Sequence, residues 1–108
     1  MKEITKDTII YVDMDGVLAD FEGALKDKLG LTMADKKSKV WGSIKHHNDN
    51  VEPWFYSLPM LHDAKQLMSF LQDNFNDVRI LTASGSTPRD APAQKREWIR
   101  DYFGRIKV

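Results

Sequence analysis

Cysteine is absent from the 108 residues, which excludes disulfides and thiolate zinc sites. Long apolar runs are missing too. No stretch approaches the roughly 18 apolar residues of a membrane-spanning helix. The opening MKEITKDTII has no apolar segment that would serve as a secretory signal. Neither sign of charge is in excess, because 16 Lys and Arg balance 16 Asp and Glu. That removes the electrostatic signature of a duplex-binding protein, so no nucleic acid duplex is expected as a partner. Repeats, low-complexity tracts and linkers are also lacking. What remains, 42% hydrophobic and 30% charged residues, suits one compact domain over residues 1–108 with a single core. A cytoplasmic location is the expectation compatible with these absences.

The pattern along the chain is that of an α/β protein. Thr8-Ile9-Ile10-Tyr11-Val12 is a dense apolar and β-branched run, read as a strand buried on both faces. Asp13-Met14-Asp15-Gly16 follows, with Gly16 permitting a sharp turn. Leu18, Phe21, Leu25 and Leu29 then share one face of a helix expected over 17–29, closed by Gly30. Val40, Trp41 and Ile44 suggest a further short helix, whereas 51–62, with Pro53, Pro59 and Trp54-Phe55-Tyr56, reads as irregular. Ala64, Leu67, Met68, Leu71 and Phe75 mark the clearest helix, with Asp63 as its cap. Val78 to Thr82 reads as a second strand, and 83–90 as a loop. A last helix is expected over 92–103, with Trp98, Ile99 and Tyr102 as its buried stripe and Gly104 as its end. Arg105 to Val108 resembles the start of a third strand. Strands alternating with helices imply a parallel sheet with right-handed crossovers. Its active crevice should lie beyond the carboxyl ends of the strands, where Asp13, Asp15 and Thr82 fall.

Asp13 and Asp15 suit phosphoester chemistry. A phosphate ester is anionic, so an anionic nucleophile needs a divalent cation to screen repulsion. Paired carboxylates supply both a nucleophile and hard oxygen ligands for Mg²⁺. The bland alternative is a turn, since Asp-Gly is a common turn pair. A calcium loop counted from Asp13 fails, because Leu18 and Ala24 stand where glycine and glutamate would be required.

Residues 11–20, Tyr-Val-Asp-Met-Asp-Gly-Val-Leu-Ala-Asp, resemble the first motif of the haloacid dehalogenase (HAD) superfamily. The run VDMDGVLADFEG is especially similar to the 5'(3')-deoxyribonucleotidase family. The resemblance implies that Asp13 becomes a phospho-aspartate, that Asp15 protonates the leaving oxygen and later activates water, and that Mg²⁺ binds Asp13 and the main-chain carbonyl of Asp15. Thr82, ending Arg-Ile-Leu-Thr, matches the second motif and would bind phosphate oxygens. The family often has a second hydroxyl next in sequence; here that position is Ala83, with Ser84 one step later. Pro92-Ala93-Gln94-Lys95-Arg96-Glu97-Trp98-Ile99 resembles the segment of the third motif, whose lysine, Lys95, would neutralise phosphoryl charge. Without function, Thr82 would be an ordinary strand-end residue and Lys95 a solvated helix residue. Residues 31–62 would form a small helical cap. Phe21 matches a base-holding aromatic, and Trp41, Trp54 and Phe55 are further candidates. Phe21 also fits the apolar stripe of its helix. His46 and His47 read as a surface pair.

The acidic pair of the fourth motif has no match before Val108. The fold expected is therefore a HAD-like Rossmannoid parallel sheet with flanking helices and a cap insertion, lacking the last strands. Three functions stay open. One is a Mg²⁺-dependent phosphomonoesterase acting on nucleoside or deoxynucleoside monophosphates. Another is a non-catalytic nucleotide- or phosphate-binding module. The last is a partial chain completed by another segment. An uncovered sheet edge along Ile9–Val12 would further favour a homodimer.

Overall fold

The computed structural model describes residues 3–83 and 88–108. The elements run β1 (Ile9–Asp13), α1 (Phe21–Leu29), α2 (Lys37–Asn50), α3 (Ala64–Asn74), β2 (Asp77–Leu81) and α4 (Ala91–Phe103). The two strands pair in parallel, from Ile9 opposite Asp77 to Asp13 opposite Leu81. This is the α/β architecture expected of a HAD-like Rossmannoid fold, with a two-stranded parallel sheet and four helices among the described residues. No helix there is long and apolar enough to cross a membrane.

Strand alternation decides where the core lies. Val12 and Ile80 are buried, and the half-buried Ile10 and Val78 join them against Met68 of α3 and Trp98 and Ile99 of α4. The other face carries Ile9, 42% exposed, Tyr11, 55%, and Leu81, 62%. The expectation that β1 is buried on both faces is thus corrected: α3 and α4 cover the face shared by Val12 and Ile80, and no described layer covers the opposite one. Lys6 and Asp7 do not shield it either. The Asn76 N–H donates to the Lys6 carbonyl and the Asn76 side chain to Asp7, which anchors the N-terminal segment beside the start of β2.

The helix expected over 17–29 begins only at Phe21. Residues 14–19 instead form a tight loop in which the Met14 carbonyl accepts from the Leu18 and Ala19 N–H groups, and the Ala19 carbonyl accepts from Gly16. Gly16, at φ +79, supplies the left-handed turn. Asp20 then caps α1 by accepting from the Gly23 N–H at 3.0 Å. A Cβ on Gly23 would stand 2.2 Å from the Asp20 carboxylate, so a larger residue there would have to shift the capping side chain. Leu18 is fully buried but belongs to this loop, which explains its apparent membership of a helical stripe.

Smaller differences have similar causes. Asp63 precedes α3 but makes no side-chain capping bond. Leu67 and Tyr102 are exposed rather than buried: Met68 takes the inward position beside Leu67, and Tyr102 lies outside the buried Trp98, its ring 4.7 Å away. Residues 105–108 form no strand, yet the Lys107 carbonyl accepts from the Ile80 N–H at 2.7 Å, so the tail lies along β2. His47 is buried, with its ring edge-on to Trp54 at 5.4 Å, while His46 remains exposed. The pair is therefore not simply a surface feature.

Candidate active site

Helix α4 delivers the most constrained charge in the described structure. Lys95 lies in its second turn and is only 3% exposed. Its ammonium donates to Asp15 Oδ2 at 3.0 Å, to Thr82 Oγ1 at 3.1 Å and to the Ala83 carbonyl at 2.7 Å. All three protons are used, which is how a buried ammonium is tolerated. It also stands 4.4 Å from the centroid of the Phe55 ring, within range of a cation–π attraction. The neighbouring Arg96 is exposed.

Three separate chain segments meet at this lysine: the turn after β1, the end of β2 and α4. Asp15, Thr82, Ala83 and Lys95 are brought together. Asp13 is the last residue of β1, exposed, and in register with Leu81, immediately before Thr82. Its side chain makes no described hydrogen bond to this cluster. Ser84 lies outside the described residues.

Beside Lys95 opens a cavity of about 370 Å³, lined among others by Asp15, Gly16, Phe21, Trp41, Phe55 and Ala83. Phe21 is the first residue of α1 and Trp41 lies in the second turn of α2. The Phe21 ring is 6.0 Å from that of Trp41 and, near-parallel at 24°, 6.0 Å from Phe55. Phe21 is thus both core and wall, being 7% exposed while lining the cavity. Met33 and Glu22 complete the rim and were not singled out from the sequence, where nothing distinguishes them from surface residues.

The irregular segment that carries Phe55 is fastened along one face of α4. Gln94 Oε1 accepts from the Phe55 and Tyr56 N–H groups, the Trp98 indole donates to the Leu58 carbonyl at 2.8 Å, and the Tyr56 hydroxyl donates to Asp101. Positions 94, 98 and 101 are spaced one turn apart. The Asp101 carboxylate raises the Tyr56 hydroxyl above the usual tyrosine range, first by accepting its hydrogen bond and then by its charge. At the far end of the segment, Glu52 is held below the ordinary glutamate range by hydrogen bonds from Lys28 and then from His47. Gln94 was missed in the sequence because a glutamine in a helix has no pattern that announces a distant backbone partner.

A divalent cation fits the oxygen chemistry of the strand ends. Asp15 Oδ1 is buried with no hydrogen-bond partner, and the Asp13 carboxylate is exposed one strand-end step away. No cluster of three or more His, Cys, Asp or Glu side chains is formed among the described residues. A site here would therefore draw on the Asp13 carboxylate and the main-chain carbonyl of Asp15, with substrate oxygens and water completing it, as Mg²⁺ sites commonly do, and would leave the unpartnered Asp15 oxygen for proton transfer.

Fold and site together define a parallel α/β protein with a lysine–carboxylate cluster and an aromatic cavity at the carboxyl ends of its strands. Among curated proteins the chain is similar to the mitochondrial 5'(3')-deoxyribonucleotidase of Homo sapiens, with 31% identity over 122 residues that cover 88% of this chain and 50% of that protein. It is likewise similar to the mitochondrial 5'(3')-deoxyribonucleotidase of Mus musculus, with 27% identity over 117 residues, 88% of this chain and 52% of that protein. The chain spans about half the length of the curated relatives it matches. No family model matches it. The two likenesses support a relationship to the nucleotidases at a coarse level; the link to the wider HAD superfamily rests on the motif resemblance.

Proposed function

We propose that the crevice hydrolyses phosphomonoesters of nucleosides or deoxynucleosides through an aspartyl-phosphate on Asp13. The observation that carries this reading is Lys95, a buried cation fixed by Asp15, Thr82 and Ala83 at the mouth of an aromatic cavity. The names of the similar proteins point the same way. Phosphate would sit at the Thr82 hydroxyl and take the place of one of the three acceptors of the Lys95 ammonium, with the nucleoside in the cavity lined by Phe21, Trp41 and Phe55. Stacking of a base on an aromatic ring is worth about 1–3 kcal/mol.

In this scheme an Asp13 oxygen attacks phosphorus and the ester oxygen departs with a proton from Asp15. Asp15 then takes a proton from water, which attacks phosphorus, releasing inorganic phosphate and restoring the Asp13 carboxylate. Lys95 offsets negative charge on the phosphoryl oxygens throughout. Mg²⁺, held by Asp13 and the main-chain carbonyl of Asp15, would supply the charge that lets one anion approach another.

Release of phosphate from deoxynucleoside monophosphates tests the reading. Release should require Mg²⁺, stop on chelation, and fall to background in Asp13→Asn, whose amide is nearly isosteric but cannot form the acyl phosphate. Undiminished hydrolysis by purified Asp13→Asn would remove Asp13 as the nucleophile. Tight nucleotide binding by the unsubstituted chain without any release would favour a binding module.

A further inference from the structure

We infer that Gln94 is a positioning residue that sets the selectivity of the crevice for nucleotides over smaller phosphates, by holding the Phe55 wall in register with Lys95. The inference rests on the crevice being the nucleotide site proposed above.

Gln94 is 6% exposed and its amide is used at both ends. Its Oε1 accepts from the Phe55 N–H at 2.9 Å and the Tyr56 N–H at 3.2 Å. Its Nε2 donates to Asn48 Oδ1 at 2.9 Å, and the same oxygen accepts from the Trp54 N–H at 2.9 Å. Two side-chain amides, from α4 and α2, therefore satisfy three consecutive backbone donors of a segment that has neither helix nor ladder to do so. Buried backbone donors demand partners. Without Gln94, the Phe55 and Tyr56 N–H groups would have to turn outward to reach water.

The position of Gln94 gives this bond network its consequence for the site. It is adjacent in sequence to Lys95, on the same rigid helix. The backbone it holds carries Phe55, whose ring faces the Lys95 ammonium at 4.4 Å and stacks towards Phe21. Of the bonds that fasten this segment to α4, those of Gln94 are the ones made to the Phe55 backbone itself and from the residue next to Lys95. Loss of that link should damage recognition of a ligand that spans both, a phosphate joined to a planar base. A ligand that touches only the cation should suffer less.

Titration of the 108-residue chain with deoxynucleoside monophosphates and, separately, with inorganic phosphate tests this, together with hydrogen exchange at the Phe55 and Tyr56 amides. Gln94→Leu keeps the volume and removes the bonds. It should weaken nucleotide binding by roughly tenfold, as expected for buried donors left unpaired, with a smaller loss for phosphate and faster exchange at both amides. Gln94→Glu keeps the acceptors for Phe55 and Tyr56 and should restore most of the nucleotide preference. Equal losses for both ligands, or an unchanged preference with both amides exchanging freely, would overturn the inference. Should Gln94→Leu fail to fold, Gln94→Glu decides: protected amides with the preference retained sustain the inference, and equal losses for the two ligands overturn it. A chain that shows no preference for nucleotide before any substitution would instead defeat the functional reading. Unchanged amide protection in Gln94→Leu would then show that Gln94 does not brace the segment either, whereas lost protection would leave it a brace with no bearing on selectivity; both overturn the inference.

Discussion

The two sides of the sheet differ in how they are finished. On the side of α3 and α4, Trp54, Leu58, Trp98 and Ile99 are essentially inaccessible, and side chains of α4 bond the irregular segment 54–58 at several points. On the opposite side, Ile9, Tyr11 and Leu81 lie open, accompanied by an Asp77–Arg79 ion pair on the same face. A two-stranded sheet is marginal alone. The contrast therefore locates the stability of the described structure in the helical side, and the same packing that stabilises it shapes the crevice. The candidate site lies where these two regions meet, with Asp13 at the end of the bare face and Lys95 inside the packed one.

The sharpest way to break this comparison is to remove one anchor from each side. Trp98→Ala deletes a fully buried ring and its bond to the Leu58 carbonyl. It should cost about 3–5 kcal/mol in denaturant unfolding. Tyr11→Thr, on the bare face, should stay within about 0.5 kcal/mol. Comparable losses from the two substitutions would mean that the outer face is covered in solution.

Self-association bears on the same strand. The edge of β1 away from β2 has no strand partner among the described residues, and unprotected edges recruit other chains. Sedimentation across a concentration series should show reversible association that Tyr11→Lys weakens. A monomer at all concentrations, with slowly exchanging amides over 9–12, would mean the edge is closed by other means.

The smallest expected effect concerns the far end of the cap-like segment. Glu52 is lowered by Lys28 and His47, so its ionised form favours the folded state. A depressed folded value gives stability that is present above the ordinary glutamate range and is lost as pH falls through the folded value. Glu52 remains partly exposed, so solvent screens much of this. Glu52→Gln should flatten the acid limb of Tm against pH by on the order of 1–2 °C. An unchanged acid limb would assign no stabilising role to the Lys28–Glu52–His47 cluster.

The sequence by itself determined the alternation of strands and helices and the strand ends at which Asp13, Asp15 and Thr82 fall. Those features are local: a β-branched run, a glycine that permits a turn, an apolar period that makes a helix. α3 and α4 were legible within a residue or two for the same reason. Tertiary structure decided the rest. Leu18 fits a helical stripe, yet hydrogen bonds within 14–19 and the Asp20 cap delay α1 to Phe21. Burial of alternate residues in β1 was set by which face α3 and α4 happen to cover, which no property of the strand itself encodes. Lys95 could be suspected from its segment, but its burial depends on acceptors from two other parts of the chain. Gln94 reaches Phe55 across 39 positions. A hydrogen bond to an irregular backbone leaves no periodic trace in the sequence, because its geometry exists only once the distant segments have packed.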